Sequence, residues 1–278
     1  MAIITISREM GSGGIPIAHK AAEELGYTLV DGDMLRELAP QYGLSPEALE
    51  KADEKPPAFV DALDHQLEID QHMIELIILE HALKGNVIIY GRGGQDLLTG
   101  ISSVLRVRII APFEERVERW AEREWLDPDL ARILVRKSDQ QRAGFIKYYF
   151  DRDWDDPLHY DVVINTSRLS EVSAIQLISN AIKDQNLEGL KQPGKAHLSD
   201  LILRKKAEIA LLSDERVEAI NMGHFSIEVA SGIAHVEGHV HSDEEQRAVE
   251  DLVMAVEGIE SLNSKLQVRQ YRNYPREH

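Results

Sequence analysis

The feature that most constrains this chain is a glycine-rich turn that follows a short apolar stretch near the beginning of the sequence. Residues 3–6 predict a buried strand, and Gly11, Gly13 and Gly14 come soon after it. A helical pattern of apolar residues then begins at Ile17. Strand, glycine turn and helix in this order can wrap a phosphate, because glycine allows positive φ and has no Cβ to block an anion. The alternative is a glycine turn that only packs a helix on a sheet.

This turn departs from the standard phosphate-binding loop. The standard pattern, G-x-x-x-x-G-K-[ST], places a lysine and a hydroxyl residue after its second glycine. Here Arg8 stands at the first glycine, Gly13 at the second, Gly14 at the lysine and Ile15 at the hydroxyl residue. The backbone N–H groups of such a loop are retained, so we predict that phosphates are held by Gly11, Ser12, Gly13 and Gly14.

Strand and helix signals alternate along the first part of the chain. A long helix is predicted from Asp64 to Leu83, and an arginine-rich helix follows Pro112. Strands alternating with helices imply a mostly parallel sheet covered on both faces, and therefore an α/β fold. The strand signals after the first lie in the segments YTLVD, NVIIY, VLRVRII and DVVIN.

Composition excludes several classes of function. Cysteine is absent, which removes disulfides, thiolate metal sites and cysteine nucleophiles. The net charge of −17 opposes binding to nucleic acid or anionic membranes. Neither a leader pattern nor an apolar run of about 18 residues is found, so we expect a cytoplasmic protein with no membrane partner. Arginine is concentrated between Arg92 and Arg152, where a phosphate ligand would need it.

The composition changes after the last predicted strand and helix of this first part. Residues 185–197 (QNLEGLKQPGKAH) are polar and contain glycine and proline, which is typical of a linker. Helix, two strands, helix and strand are then predicted over residues 198–270, before a tail at 271–278. The expected organisation is thus an α/β domain at 1–184, a linker and a small α+β domain.

Several segments of residues 1–184, taken in order, resemble the cytidylate-kinase-like group of P-loop nucleoside monophosphate kinases. The resemblance implies a P-loop kinase-like parallel sheet flanked by helices, with ATP and Mg²⁺ as cofactors. It also implies phosphoryl transfer to a nucleotide substrate, a cytidylate-like nucleoside monophosphate. The segments that carry it are ITISREMGSGG, VDGDMLREL, IIYGRGGQDLL, SDQQR and YDVVINTSRLS.

The same resemblance implies roles for charged residues, since phosphoryl transfer depends on neutralising the charge of the transferring group. Arg36 would hold the acceptor monophosphate, and Arg92 would lie beside it. Arg136 and Arg142 would close over the phosphates from a lid. For each arginine the alternative is a surface salt bridge. The acidic residues implied are Asp33 on the acceptor side and Asp139 in the lid. Asp31, at the carboxyl end of a strand, is a candidate for coordinating a Mg²⁺-bound water or for orienting the acceptor, and a helix cap is its alternative.

Departures from the family pattern leave two hypotheses open. The first is an active kinase, and the second is a degenerate kinase fold that binds nucleotide and signals without turnover. Arg8 either supplies a compensating catalytic cation or pairs with an acidic neighbour, Asp31 or Glu9. The departures are Gly14 for lysine, Ile15 and Pro16 where a hydroxyl ligand to Mg²⁺ is expected, and Gly93 for an aspartate.

The second predicted domain resembles a BON domain over about residues 197–270. Gly232, Gly238, Val240 and the segment VEGIESLNSKLQV carry this resemblance. It implies a ligand-sensing or interaction module, with a small ligand or a protein as its partner, and a homo-oligomer is left open. Four histidines in this region are expected to be exposed rather than metal ligands, so no metal site is predicted; they are His224, His235, His239 and His241.

Overall fold

The computed structural model describes residues 2–56, 65–217 and 225–269. The chain divides into two compact units, Met1–Lys195 and Ala196–His278. Among the described helices, none combines the length and apolar character needed to cross a lipid bilayer.

A five-stranded sheet forms the centre of the first unit. All its strands are parallel and follow the order β2-β3-β1-β4-β5, which confirms the predicted α/β fold. In a parallel sheet of this kind, ligands bind outside the carboxyl ends of the strands, next to the strand where the order reverses. That strand is β1. The strands are β1 Ile3–Arg8, β2 Thr28–Val30, β3 Val87–Tyr90, β4 Val104–Ile110 and β5 Val162–Asn165.

Helices cover this sheet, and their first residues follow ordinary capping chemistry. Ser45, Asp127 and Ser170 each accept a backbone N–H at the start of a helix. The long helix predicted from Asp64 begins at His65, and Asp64 itself lies outside the described residues. The helices are α1 Gly14–Leu25, α2 Gly32–Leu38, α3 Pro46–Lys51, α4 His65–Lys84, α5 Gly94–Leu97, α6 Phe113–Glu124, α7 Pro128–Phe150, α8 Glu171–Ala181 and α9 Gln185–Gly189.

The core of the first unit fixes the ends of β1 and β3 side by side. Ile4 and Ile6 of β1 are buried with Ile17 of α1 and Ile175 of α8. Ile6 pairs with Tyr90 at the last rung between β1 and β3. Full burial explains why these strands are almost continuously apolar. The loops that follow the two strands therefore start from neighbouring points on one rigid edge.

The segment expected to be a linker is helical in the structure. Residues 185–189 form α9, and α10 spans Lys191–Leu212. Pro193 lies in the first turn of α10, where the N–H that proline lacks would have no partner within the helix. The division between the units falls between Lys195 and Ala196. The predicted linker boundaries at 185 and 197 stay a prediction.

The second unit has the predicted element order and a small mixed sheet. After α10 come β6 Ser226–Ala230, β7 Ile233–Val240, α11 Asp243–Met254 and β8 Ser261–Val268. β6 and β7 pair antiparallel, whereas β7 and β8 pair parallel. His224 lies outside the described residues, and the described ranges hold no cluster of potential metal ligands around the other histidines.

Candidate active site

The glycine turn after β1 forms an open backbone cradle at the carboxyl edge of the sheet. Gly11 and Gly13 have φ values of 79° and 83°, in the left-handed region that favours glycine. Among the described residues, the N–H groups of Gly13, Gly14 and Ile15 have no acceptor. A Cβ built on Gly13 would meet no atom within 4 Å. The space beside Gly13 is thus open, and these three N–H groups are available to an anion.

Ser12 anchors the cradle from behind rather than facing a ligand. It is fully buried, and its hydroxyl donates to the carbonyl oxygen of Glu9 at 2.8 Å. The Thr166 hydroxyl, just beyond β5, donates to the carbonyl oxygen of Ser12 at 2.7 Å. Ser12 therefore contributes to phosphate binding through the shape of the loop.

A partly buried ion pair supports the other side of the loop. Arg116 donates to the carbonyl oxygen of Met10 at 3.0 Å and to Asp139 at 2.6 Å. Asp139 also accepts the N–H of Met10 at 2.9 Å. A Cβ on Gly11 would lie 2.5 Å from the carbonyl oxygen of Arg116, so only glycine fits there. Asp139, predicted from the lid motif, thus holds α7 against the loop.

Glu9 belongs to the same support. Its carboxylate lies 3.2 Å from Nε of Arg116 and accepts the N–H of Ala111 at 3.1 Å. Burial raises the pKa of Glu9 above its ordinary value, although the Ala111 N–H and Arg116 act in the opposite direction. The alternative in which Glu9 pairs with Arg8 is not what the structure shows.

Arg8 projects from the end of β1 and pairs with Glu54. Its Nη1 lies 2.7 Å from Glu54 Oε2, and its guanidinium lies 4.2 Å from the centre of the Tyr90 ring. Burial alone would lower the pKa of Arg8, but the Glu54 carboxylate and the Tyr90 hydroxyl together outweigh burial and raise it. Neither Asp31 nor Glu9, the two acidic neighbours considered from sequence, is its partner.

Glu54 accepts hydrogen bonds from three arginines that lie far apart in the sequence. Its Oε1 accepts from Nη1 of Arg8 at 2.8 Å and from the backbone N–H of Arg92 at 2.5 Å. Its Oε2 accepts from Nε of Arg142 at 3.1 Å. Burial would raise the pKa of Glu54, but the guanidiniums of Arg8 and Arg142 outweigh it and hold that pKa far below its usual range. We call Arg8, Glu54, Arg92 and Arg142 the arginine cluster.

Arg92 lies in a turn of three consecutive residues with positive φ, Gly91, Arg92 and Gly93. Its side chain donates to the carbonyl oxygen of Ala52 at 2.7 Å. A Cβ on Gly93 would lie 2.5 Å from the Phe150 ring. The aspartate that the family pattern suggests at position 93 is therefore excluded by packing.

The other predicted acceptor residues make local contacts. Asp31 caps α2 by accepting hydrogen bonds from the N–H groups of Asp33 and Met34 at 3.1 and 3.0 Å. This is the helix cap that the sequence offered as the alternative role for Asp31. Asp33 and Arg36 form an exposed ion pair within α2. The structure does not bring these residues into the arginine cluster.

Arg136 also lies outside the arginine cluster. It is exposed on α7, and its guanidinium carbon lies 5.4 Å from the centre of the Phe113 ring. The two predicted lid arginines therefore differ: Arg142 lies in the cluster, whereas Arg136 does not.

Sequence reasoning missed Glu54 and Arg116. Glu54 lies in a polar, proline-broken segment that predicts only a loop, and Arg116 is one of many charges on an arginine-rich helix. No motif or periodicity distinguishes either residue from its exposed neighbours.

The described residues offer little to hold Mg²⁺ directly. Among residues 2–56, 65–217 and 225–269, no three His, Asp or Glu side chains come together as a metal site. Ile15 stands where the standard loop has a hydroxyl ligand. Mg²⁺ keeps several waters and is commonly bound through substrate phosphates. The residues present thus suit an ion that arrives with a nucleotide.

Comparison with known proteins gives a consistent picture for the first unit. The family model described as "Cytidylate kinase-like family" matches residues 3–168. The cytidylate kinase of Natronomonas pharaonis is 32% identical over 185 residues, which cover 65% of this chain and 88% of that protein. The cytidylate kinase of Methanopyrus kandleri is 32% identical over 189 residues, covering 65% of this chain and 92% of that protein.

A solved structure shares the fold of the first unit. It is an uncharacterized protein from Eubacterium ventriosum, 23% identical, which covers 66% of this chain and 100% of its own length with a TM-score of 0.54. None of these matches shows a BON domain, so that part of the sequence interpretation is not supported by them.

Proposed function

The chain belongs to the cytidylate kinase-like family, and on this premise we propose that it transfers the terminal phosphoryl group of ATP to a nucleoside monophosphate. The observation that carries the proposal is the position of two guanidiniums, those of Arg8 and Arg142, on one carboxylate at the carboxyl edge of the sheet. Binding of phosphate by Arg at such an edge is favoured by its charge and its paired donors.

In phosphoryl transfer the protein positions the substrates and neutralises the charge of the transferring group, and it does little covalent chemistry itself. The free N–H groups of Gly13, Gly14 and Ile15 would bind the ATP phosphates. Arg8 would supply from the end of β1 the cation that the loop lacks at position 14. Arg142 would supply a second cation from α7. Mg²⁺ would enter bound to the ATP phosphates.

A cytidylate-like acceptor is proposed because the curated relatives in the comparison are named cytidylate kinases. Arg92 would lie closest to the acceptor phosphate. The exposed pair of Asp33 and Arg36, together with Asp31, would meet the rest of the acceptor. Arg136 would act only after α7 moves relative to its described position.

The test is a coupled assay for ADP release with ATP, Mg²⁺ and a panel of nucleoside monophosphates. We expect turnover with one acceptor, highest with cytidylate. Absence of ADP release with every acceptor, under conditions where calorimetry detects ATP binding, would overturn the kinase proposal.

That outcome would favour the second candidate, a nucleotide-binding regulatory protein without turnover. Gly14, Ile15 and Pro16 favour it, because the loop lacks the lysine and the hydroxyl ligand of the standard pattern. In this proposal the second unit, taken as BON-like, would bind a small ligand or a protein, or a second copy of the chain. Sedimentation of the full chain with and without ATP would detect a nucleotide-dependent homo-oligomer.

A further inference from the structure

We propose that the Glu54 carboxylate occupies the place of a substrate phosphate, and that Arg8, Arg142 and the Arg92 N–H form a phosphate site that Glu54 closes. This inference rests on the proposed function and deepens it, because it names the group that a substrate must displace. The ligand class is a phosphate group, carried by a nucleotide or free.

The donors around Glu54 are those that a phosphate needs. The carboxylate accepts hydrogen bonds from two guanidiniums and one backbone N–H, at 2.8, 3.1 and 2.5 Å. Charged donors of this kind bind oxyanions more strongly than neutral donors do. One carboxylate carries a single negative charge against two cations, so a phosphate dianion would balance the charges of Arg8 and Arg142 better.

The backbone on this side is shaped for close approach of an oxyanion. Gly91, Arg92 and Gly93 all have positive φ, and a positive φ is uncommon for a residue other than glycine. A Cβ on Gly91 would overlap both Glu54 Oε1 and Arg8 Nη1. Consecutive turns of this kind turn backbone N–H groups toward an anion. The strained conformation of Arg92 directs its N–H to the bound carboxylate.

No room for a phosphate is left while Glu54 is in place. The cavity beside it, lined by Arg8, Gly91, Arg142 and Trp154 among others, measures about 10 Å³. Such a volume holds one water at most. A phosphate can therefore enter the arginine cluster only when the carboxylate leaves.

Glu54 comes from a segment that can release it. It lies after the end of α3 in an irregular stretch, outside any helix or strand. Asp53 is exposed, and Lys55 and Pro56 are only partly buried. Arg8, by contrast, ends a central strand, and Arg142 lies within the 23-residue helix α7. Displacement of Glu54 would thus leave the two guanidiniums in position.

The test measures inorganic phosphate binding to the full chain by calorimetry. Glu54→Gln keeps the size of the side chain and removes its charge, so phosphate should bind at least tenfold tighter than to the wild type. Glu54→Asp keeps the charge but shortens the reach, and we expect an intermediate gain. Glu50→Gln, an exposed carboxylate on α3, is the matched control and should leave phosphate affinity unchanged.

The gain must also depend on the arginine cluster. In the double variant Glu54→Gln/Arg142→Gln, the increase in phosphate affinity should disappear. Unchanged or weaker phosphate binding in Glu54→Gln, or a gain that survives loss of Arg142, would overturn the proposal. If Glu54→Gln is too unstable for calorimetry, Glu54→Asp decides alone: its thermal unfolding should rise with phosphate more than that of the wild type, and an equal or smaller rise would contradict the proposal.

The same proteins separate this inference from the kinase proposal. Tighter phosphate binding without ADP release on any acceptor would keep the inference and remove the kinase function. ADP release by the wild type, with phosphate affinity unaffected by Glu54→Gln, would support the kinase function and overturn the inference about Glu54.

Discussion

The side chain of Arg8 fills the space that a side chain at position 14 would need. A Cβ on Gly14 would lie 2.8 Å from the Cβ of Arg8 and 2.9 Å from its Cγ. Real Cβ atoms do not approach other atoms so closely, so a lysine at position 14 and Arg8 in its present place exclude each other. The loop cation is accordingly supplied from the end of β1, and the missing lysine and the strand-end arginine are two aspects of one packing arrangement.

The first prediction tests this exclusion by a double-mutant cycle. Gly14→Ala should lower the free energy of unfolding by about 1–3 kcal/mol, as overpacking of a filled site does. In an Arg8→Gly background the same change should cost at least about 1 kcal/mol less, because both the Cβ and the Cγ of Arg8 are then gone. Urea unfolding gives both values.

The control for that cycle is Gly32→Ala at the start of α2. Its Cβ would have only the end of Arg36, at 3.7 Å, as a near neighbour. We expect no coupling with Arg8→Gly there. Equal costs for Gly14→Ala in both backgrounds would show that Arg8 does not fill the space.

The second prediction concerns nucleotide binding by the glycine cradle. Gly13→Ala places a methyl group in the open space beside the cradle, where we expect the phosphates to approach, and should weaken ATP binding by tenfold or more. Gly26→Ala, at the other end of α1, is a matched control, since both glycines have positive φ and open space around the added Cβ. Each change should cost about 1–2 kcal/mol of stability. Calorimetry should show weakened ATP binding only for Gly13→Ala; equal affinities would mean that the turn only packs α1.

The third prediction separates binding from turnover at the lid. Arg142→Ala should leave ATP affinity within about tenfold, or 1.4 kcal/mol, and lower turnover by a hundredfold or more, because the lost guanidinium acts on charge in the transition state. Arg132→Ala removes an exposed arginine of the same helix that pairs with Glu114, and it should change neither quantity. If steady-state kinetics show equal turnover for the two variants, Arg142 does not stabilise the transition state.

The fourth prediction follows from the lowered pKa of Glu54. A carboxylate whose pKa is lowered by folding adds stability above its unfolded pKa, near 4.3, and loses it as the pH falls below that value toward the native pKa. The wild type should therefore exceed Glu54→Gln by about 3 kcal/mol in unfolding free energy at pH 7. Urea unfolding should show this difference as constant between pH 6 and pH 8 and shrinking below about pH 4. A difference independent of pH down to pH 3 would mean that the pKa of Glu54 is not lowered.

Patterns along the chain were sufficient for the sheet, the glycine turn and the family. Buried strands, a turn with glycines and amphipathic helices are local signals, and their order alone leads to a parallel sheet with its binding edge at Arg8 and Arg92. The resemblance stated from five segments agrees with the family match over residues 3–168. Local signals were less informative at residues 185–197. The polar composition of this segment, with glycine and proline, is typical of a linker, but a proline is also compatible with the first turn of a helix, where Pro193 lies in α10.

The partners within the site were decided only by tertiary structure. Glu54 lies 46 residues from Arg8 and 88 from Arg142 in the sequence, and an acidic residue in a polar loop carries no sign of which cation it will meet. The same holds for Asp139, which binds Met10 across 129 residues. Sequence determines where strands end and which residue types stand there, since these depend on near neighbours. Pairing of charges depends on which loops the packed core brings together, and only the folded chain specifies that.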